Sequence, residues 1–331
     1  MRTRELMHLE NTGHPGMNAI FSKAHSADWD IDRDVDWTTP VLRGESLCDH
    51  DWNDFGRTPT FRALPEEMRD YVTRRSVGRT LNVLQVGESV AQDVCAKLAL
   101  LLRAEDHRNA AVAQAMDEAR HHLAYRRFID KMDEELEDID FVTEDMFDRL
   151  LETNEPLRLI ATEQFFLESM AMGIFEGLHR HATNPLLRDI LGLITRDESR
   201  HMGFGILFVA DWMKTASLED RVAFAAPWLG QILFSVTDRP GPLMLSRLVR
   251  RLREAGHPDP ESLGPALLRE QGELNAAADA DLLAGRKIPQ LLKSARNGGL
   301  LEPDILEALG IAEHPVVRVA LRIDPRTAEP A

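Results

Sequence analysis

The chain has 331 residues, 44% of them hydrophobic and 28% charged, a composition typical of a globular protein with a sizeable core. Its net charge of -16, from 55 acidic against 39 basic residues, argues against binding to nucleic acid or to an anionic membrane surface. No apolar run approaches the roughly 20 residues of a membrane helix, and Cys48 and Cys95 form no C-x-x-C pair, so we expect a cytoplasmic protein without a disulfide framework.

Residues 1–63 are predicted to form an irregular N-terminal arm. Glycines and prolines are scattered among Trp and Asp, and little helical periodicity is sustained. Such a segment is typical of an arm that wraps around the body of the protein or around a second subunit. The first sustained helical pattern begins near Leu64.

Residues 64–214 are predicted to form four long helices. Pro65, which is followed by two acids, marks the start of the first helix, and Gly78 and Gly87 are candidate breaks within it. Asn184 followed by Pro185 marks the start of the fourth helix. The expected helices cover 64–103, 107–135, 156–181 and 185–214, with a short helix at 143–151.

Residues 215–331 are predicted to form accessory helices and a tail. Helical patterns separated by Gly and Pro cover 218–236, 242–254, 260–283 and 303–309. From His314 onward, prolines at 315, 325 and 330 predict an extended tail. The sequence shows neither strand alternation nor a solenoid repeat, so the expected fold class is all-α.

The only internal self-similarity is a five-residue motif that occurs twice. Asp-Glu-x-Arg-His stands at 117–121 in the second predicted helix and at 197–201 in the fourth. In each copy the Glu and the His are three residues apart, so they lie on one helix face and can bind one metal ion together. The two copies therefore predict two metal ions, one held by Glu118 and His121 and the other by Glu198 and His201.

A dinuclear site in a four-helix bundle also needs a carboxylate from each of the other two helices. Glu88 in the first helix and Glu163 in the third lie on apolar stripes, where an unpaired carboxylate would be costly to bury. Glu168 competes with Glu163, but five residues correspond to about 140° around an ideal α-helix, so we prefer Glu163. The predicted metal ligands are Glu88, Glu118, His121, Glu163, Glu198 and His201.

This donor set combines carboxylate oxygen with imidazole nitrogen and contains no thiolate, which favours iron or manganese over zinc. Two iron ions are the expected cofactor, and a manganese–iron pair is the alternative. The Asp of each motif is expected to orient the His on the other helix, and the Arg to neutralise the buried Asp. These supporting residues are Asp117, Arg120, Asp197 and Arg200. The competing interpretation, a pair of surface salt-bridge clusters, does not account for the two carboxylates on apolar stripes.

The pattern resembles the ferritin-like di-iron carboxylate superfamily. Within it, the doubled motif and the segment Gly87-Glu88-Ser89-Val90 are similar to the branch of the ribonucleotide reductase small subunit, the bacterial multicomponent monooxygenases and the R2-like ligand-binding oxidases. The resemblance covers about residues 64–214 and implies a ferritin-like four-helix bundle that activates O2, with Glu118 as a bridging ligand and Glu198 as a second candidate bridge. It also implies an electron donor, such as a reductase or a ferredoxin, and a homodimer.

Tyr125 lies four residues after His121, where the reductase small subunit carries its radical tyrosine, so a redox role and a role in lining the site are both open. Tyr71 is the only other tyrosine, so the C-terminal tyrosine through which that reductase passes its radical is absent. The reductase function is therefore excluded. Arg158 and Ala91 occupy the places of the tyrosine and valine that are cross-linked in the R2-like oxidases, so that cross-link is not expected.

We predict an oxygenase or oxidase that uses O2 to hydroxylate, desaturate or N-oxygenate a small, partly apolar organic substrate. The expected pocket beside the metals has Cys95, Phe166 and Met170 on its walls. Ile194 stands where related aminoarene N-oxygenases carry a further ligand histidine, which argues against that subtype. The alternative function is iron oxidation or peroxide scavenging of the ferritin or rubrerythrin kind, against which the length of the chain and its lack of Cys pairs count.

Overall fold

The computed structural model describes residues 9–10, 12–53, 55–237, 242–277 and 289–322. Throughout these residues the regular secondary structure is helical, with two isolated β-bridges and no strand. The all-α fold class expected from the sequence is confirmed. Among the helices described, none has both the length and the apolar character needed to cross a membrane.

Within the described residues of the N-terminal arm, the first element is a helix that the sequence did not predict. Helix α1 (Pro15–Ser26) packs against the second and fourth helices of the bundle. His14 caps it by accepting a hydrogen bond from the backbone N–H of Met17, and proline occupies its first turn. The arm is irregular from there to a 3-10 turn (His50–Trp52) and a short helix, α2 (Pro59–Arg62).

The first helical hairpin of the bundle joins α3 (Glu66–Leu101) to α4 (Glu105–Met132). Neither Gly78 nor Gly87 interrupts α3, which is helical throughout. Helix α4 ends at Met132 and is capped by Asp133, whose backbone is left-handed with φ of 49°. Helix α5 (Phe141–Glu152) follows and packs against α3.

The third bundle helix consists of three consecutive segments. These are α6 (Pro156–Ile160), a π-helical segment (Ala161–Leu167) and α7 (Glu168–His181). In the π segment the backbone N–H of Glu168 donates to the carbonyl oxygen of Glu163, an i to i+5 bond that replaces the i to i+4 bond of an α-helix. The wider turn changes the direction in which these two side chains point relative to an ideal α-helix.

Helix α8 (Pro185–Thr215) forms the second hairpin with α7 and approaches the π segment closely. Asn184 caps it by accepting from the backbone N–H of Leu187. At Gly205 a Cβ atom would lie 2.5 Å from the carbonyl carbon of Gln164, so only glycine fits there without a shift of the backbone. This contact fixes the distance between α8 and the π segment.

The C-terminal helices cover the bundle from two sides. They are α9 (Leu218–Thr237), α10 (Pro242–Glu254), α11 (Pro260–Ala277), α12 (Pro289–Asn297), α13 (Pro303–Leu309) and α14 (Pro315–Arg322). Helices α10 and α11 form an apolar cluster with α2 and α3, whereas α9 and α12 to α14 form another with α8 and the π segment.

Two predictions for the C-terminal region differ from the structure. The extended tail expected from His314 was wrong over Pro315–Arg322, where a helix buries Val316, Val317 and Ala320. Proline is common at the first position of a helix as well as after its end. The tail prediction considered only the second case, whereas Pro315 starts a helix. Helix α12 was not predicted. Residues 278–283 and 323–331, the ends of the predicted helix and tail, lie outside the described residues.

Candidate metal centre

A cluster of buried acids and histidines lies between the four bundle helices. It contains two groups of four side chains, each of which places its ligand atoms within 4.8 Å of one another. Glu118 and Glu198 belong to both groups, as bridging ligands of a dinuclear centre would. The first group is Glu88, Glu118, His121 and Glu198, and the second is Glu118, Glu168, Glu198 and His201.

In the first group, three ligand atoms converge without forming hydrogen bonds to one another. Nδ1 of His121 lies 3.2 Å from Oε2 of Glu118 and 3.0 Å from Oε1 of Glu198. All three atoms are buried, and within the described protein none of them has a hydrogen-bond partner. Burying polar atoms without hydrogen-bond partners costs free energy. Atoms that bind the same metal ion lie close together, but they are not aligned for hydrogen bonds to one another. The cluster therefore fits a pair of metal ions.

Protonation follows the same division between the bridging and the outer carboxylates. Burial raises the pKa of Glu88 and of Glu168 well above the usual range, and the charges of Glu198 and Glu118 raise it further. Burial acts in the same direction on Glu118, but His201 and His121 outweigh it and hold the pKa of Glu118 well below its usual value. Without metal, the centre therefore retains protons on its outer acids, and cations can replace these protons.

Each histidine uses its second ring nitrogen to contact the motif aspartate of the other helix. Nε2 of His121 lies 3.0 Å from Oδ2 of Asp197, and Nε2 of His201 lies 3.2 Å from Oδ2 of Asp117. These are the cross-helix contacts expected from the sequence. They fix both rings with Nδ1 toward the centre, which is how protein ligands of metals are usually oriented.

The two motif arginines bridge the two aspartates. Nη2 of Arg200 donates to Asp117 at 3.0 Å and to Asp197 at 2.6 Å. Nη2 of Arg120 donates to the same pair, at 2.5 Å and 3.1 Å. Burial alone would raise the pKa of Asp197, but the hydrogen bond and charge of His121 together with Arg200 lower it, so the carboxylate stays ionised. The support residues form one closed network of charges.

Trp29, in the arm, is a member of this network that sequence reasoning missed. Its Nε1 donates to Oδ2 of Asp197 at 2.8 Å. The indole ring is stacked on His121, with ring centroids 6.3 Å apart and an interplanar angle of 12°, and the guanidinium of Arg120 lies 4.8 Å from the ring centroid. Asp28, its neighbour, pairs with Arg120. No periodicity in the arm pointed to Trp29.

Gln114 was also missed, although helical spacing was a usable signal. It lies four residues before Glu118 on α4 and therefore on the same face. Its Nε2 donates to Oε1 of Glu118 at 2.8 Å and to Oε1 of Glu168 at 3.1 Å. Gln114 thus joins a shared carboxylate to an outer one.

The structure brings Glu168, rather than Glu163, into the ligand groups. The argument that only one of them can face inward assumed an ideal α-helix, and that assumption was wrong because a π-helical turn separates the two residues. Glu163 is also buried, and its Oε2 has no hydrogen-bond partner within the described protein. Burial, followed by the charges of Glu118 and Glu198, raises the pKa of Glu163 to about 8. The ligand role of Glu163 stays a prediction.

A cavity of about 230 Å³ lies beside the cluster, and we call it the metal-side cavity. Its walls come from α3, α5, the π segment and α7, and most of them are apolar. Glu88 and Glu168 of the two ligand groups border it, as does Glu163, so a molecule held there would contact the centre directly. The lining residues are Val83, Leu84, Gly87, Glu88, Ala91, Thr143, Met146, Phe147, Glu163, Leu167, Glu168, Met170, Ala171, Ile174 and Phe175.

Of the three predicted pocket residues, Met170 lines this cavity. Phe166 points instead to the C-terminal helices, where its ring lies 5.1 Å from that of Trp228. Cys95 is fully buried and accepts a hydrogen bond from Nε2 of Gln164 at 3.3 Å. The π segment explains the difference, because its wider turn rotates Phe166 away from the face that an ideal helix predicts.

Tyr125 is fully buried on α4, and its ring is stacked on Phe175 with centroids 6.5 Å apart. Phe175 also lines the metal-side cavity, so the tyrosine stands behind that wall. Burial and the charge of Glu88 raise the pKa of Tyr125 well above its usual value, which keeps the hydroxyl protonated. Its redox role stays a prediction.

The family described as P-aminobenzoate N-oxygenase AurF matches residues 17–239. No curated protein sequence matches the chain. A structure of R2-like ligand-binding oxidase with an aerobically reconstituted Mn/Fe cofactor is 16% identical, covers 86% of this chain and 92% of its own, and has a TM-score of 0.47. A variant with an anaerobically reconstituted Mn/Fe cofactor is 15% identical, covers 89% and 98%, and has a TM-score of 0.49.

Proposed function

Because the chain belongs to the P-aminobenzoate N-oxygenase AurF family of non-haem di-iron oxidoreductases, we propose that it oxidises a small, partly apolar amine in the metal-side cavity, with O2 as co-substrate. Membership confirms the resemblance to di-iron carboxylate enzymes that the doubled motif carried. It also corrects the argument from Ile194, since the chain belongs to this family with a buried isoleucine at that position.

One observation carries the proposal: two groups of ligand atoms share Glu118 and Glu198. Carboxylates shared in this way would hold two ions near each other, and such a pair would supply the chemistry that activates O2. We propose Glu88 and His121 as the remaining ligands of one ion, and His201 with an acid of the third bundle helix as those of the other. Two iron ions, or a manganese–iron pair, would supply the electrons that reduce O2.

The residues of the chain orient the ligands and exclude water. Asp197 and Asp117 hold the two imidazole rings, and His121 and His201 in turn lower the pKa of these aspartates and keep both ionised. Apolar residues such as Met170 and Phe175 line the cavity and keep the reacting end of the substrate dry. Glu163, which lines the same cavity and has a raised pKa, can hold a proton beside the substrate.

N-oxygenation is the outcome that the family description favours over hydroxylation or desaturation. In balance, R–NH2, O2, two electrons and two protons give R–NHOH and water. An electron donor such as a reductase or a ferredoxin supplies the two electrons. Iron storage remains the weaker alternative, because the family is one of oxygenases and the cavity gives the centre access to an organic substrate.

Anaerobic titration with Fe(II), followed by measurement of O2 consumption, tests the proposal. We expect two Fe(II) per chain and consumption of O2 when an electron donor is present. Glu118→Gln removes a carboxylate from both groups and should lose both ions, whereas Asp130→Asn, which changes an exposed acid on the same helix, should keep them. Binding of fewer than one ion per chain by the unchanged protein would sink the proposal.

The contribution of the third bundle helix is tested by a matched pair of variants. Glu168→Gln should lower the iron content more than Glu163→Gln, because only Glu168 has a ligand atom within 4.8 Å of those of Glu118, Glu198 and His201. Iron retained in Glu168→Gln and lost in Glu163→Gln would return the ligand role to Glu163.

We further propose that the protein is a cytoplasmic homodimer. Both cysteines are free and buried, which suits a reducing compartment. Val112, Met116 and Leu123 are exposed along one side of α4, a surface that a second copy would cover. Sedimentation at the mass of a single chain would contradict the dimer.

A further inference from the structure

The two halves of the candidate metal centre carry the same motif but differ at one buried position beside it. Gln114 stands four residues before the motif glutamate on α4, and Ile194 stands four residues before the motif glutamate on α8. This spacing places each residue on the helix face that carries its glutamate. Both side chains are buried. At this position one half of the centre therefore offers an amide and the other half a hydrocarbon.

Gln114 contacts the shared ligand Glu118 on one side of the centre. Oε1 of Glu118 lies 3.0 Å from Nδ1 of His201, whereas its Oε2 lies 3.2 Å from Nδ1 of His121. Nε2 of Gln114 donates to Oε1, at 2.8 Å. The amide thus holds the oxygen atom that faces His201.

The second carboxylate that Gln114 contacts belongs to the same half. Nε2 of Gln114 also donates to Oε1 of Glu168, at 3.1 Å, and this oxygen lies 3.8 Å from Nδ1 of His201. A side-chain amide has two N–H hydrogens, so it can donate one to each carboxylate. Both acids are in the ligand group that contains His201.

These two bonds fix the orientation of the Gln114 amide. Its Oε1 is buried and has no hydrogen-bond partner within the described protein, so the N–H groups alone hold it. When a metal ion is bound, both carboxylates are ionised, and hydrogen bonds to ionised acceptors are the stronger ones. With the amide reversed, its oxygen would face two carboxylate oxygens and be repelled. Gln114 is therefore a firm support for both acids.

The other two outer acids of the centre do not share this support. Glu88 lies near His121, with its Oε2 3.7 Å from Nδ1 of that residue. Oε2 of Glu163 is buried without a hydrogen-bond partner in the described part of the chain. No side-chain amide among the described residues donates to either acid. The two ligand groups are therefore held in place by unequal means.

We propose that Gln114 is a positioning residue that supports the ion on the His201 side alone and makes Glu168, rather than Glu163, the ligand from the third bundle helix. A carboxylate whose rotation is already fixed loses less freedom when it binds an ion. The inference rests on the proposed dinuclear function and adds an inequality between its two ions. The ion on the His121 side is bound without this support.

Binding of Mn(II) in the absence of O2, measured from the electron paramagnetic resonance signal of free Mn(II), tests the inference for one ion at a time. His121→Ala leaves the ligands of the His201 side, and His201→Ala leaves those of the His121 side. Gln114→Met keeps a side chain of similar size without its N–H donors. It should weaken Mn(II) binding by about tenfold or more in the His121→Ala protein. In the His201→Ala protein it should change binding by about twofold or less.

Gln164→Met is the matched control. Gln164 is another buried glutamine whose Oε1 is unpaired within the described protein, but its Nε2 donates to Sγ of Cys95. Its replacement should change Mn(II) binding by about twofold or less in both proteins. A loss of affinity from Gln164→Met as large as that from Gln114→Met would overturn the inference. Equal effects of Gln114→Met in the two histidine variants would also overturn it.

A double-mutant cycle in the His121→Ala protein identifies the acid through which Gln114 acts. The combined loss of affinity from Gln114→Met and Glu168→Gln should be smaller than the sum of the two separate losses, because the amide and its acceptor act together. The losses from Gln114→Met and Glu163→Gln should add, and the opposite pattern would overturn the assignment of Glu168. These measurements require no turnover. Unequal effects in a protein that consumes no O2 would therefore support the inference and count against the oxygenase function.

Discussion

Replacement of Gly205 by alanine should destabilise the protein and reduce its iron content. The added Cβ would lie 2.5 Å from the carbonyl carbon of Gln164 and 2.6 Å from the backbone nitrogen of Phe165. Ordinary contact begins at 3.4 Å, so α8 and the π segment must separate by about 0.9 Å. Overpacking of this kind costs about 1–3 kcal/mol, and the shift moves the segment that carries Glu163 and Glu168.

Gly203→Ala supplies the control for this experiment. Gly203 lies on the same helix, but a Cβ there would meet only Ile20, at an ordinary 3.8 Å. Both alanines gain about 1 kcal/mol of helix propensity over glycine. That gain cancels when the two variants are compared, so the difference between them measures the close contact alone.

Thermal unfolding of the metal-free variants at one scan rate is the assay. A difference of about 1–3 kcal/mol corresponds to roughly 1.5–4 °C in Tm for a chain of this size. Iron content after anaerobic loading provides the second measurement. The reasoning would be refuted if Gly205→Ala melted at the temperature of Gly203→Ala and still bound two ions per chain.

Two further predictions concern the metal centre. Asp197→Asn should lower metal affinity about 10–100-fold, because Asp197 orients His121 and pairs with both arginines. Asp189→Asn, which changes an exposed acid on the same helix, should leave metal affinity unchanged. Equal iron content in the two variants would contradict the role of Asp197 in supporting the metal ligands. Mn(II) affinity should fall as the pH is lowered, because binding must displace protons from Glu88 and Glu168, whose pKa values burial raises well above the usual range; an affinity independent of pH would contradict these protonation states.

The bundle was predictable because its signals are local. Proline and asparagine at helix starts, together with apolar periodicity, placed α3, α4 and α8 within a few residues of their observed ends. The doubled motif predicted one Glu and His pair on the second helix and another on the fourth. Residues three apart lie on the same face of a helix, so helical spacing alone brings each pair together. These features depend on residues close together in the chain.

The features that were not predicted depend on contacts between distant residues. A π-helical turn is rare and depends on its surroundings; here α8 approaches through Gly205, about 40 residues after the π segment. Trp29 reaches Asp197 across 168 positions of sequence. A cavity between α3 and α10 likewise joins Arg79 to Arg247, which no local pattern connects.

The contact between Trp29 and Asp197 also has a consequence for biosynthesis. The arm is made first, but its partner is made 168 residues later, on the order of 10 s at ordinary rates of translation. Until α8 has been synthesised, the chain contains neither the second motif nor Asp197, which accepts the hydrogen bond from the indole of Trp29. The nascent chain therefore completes its centre only after the whole bundle has been synthesised, so an unfinished chain offers no dinuclear site to a redox-active metal.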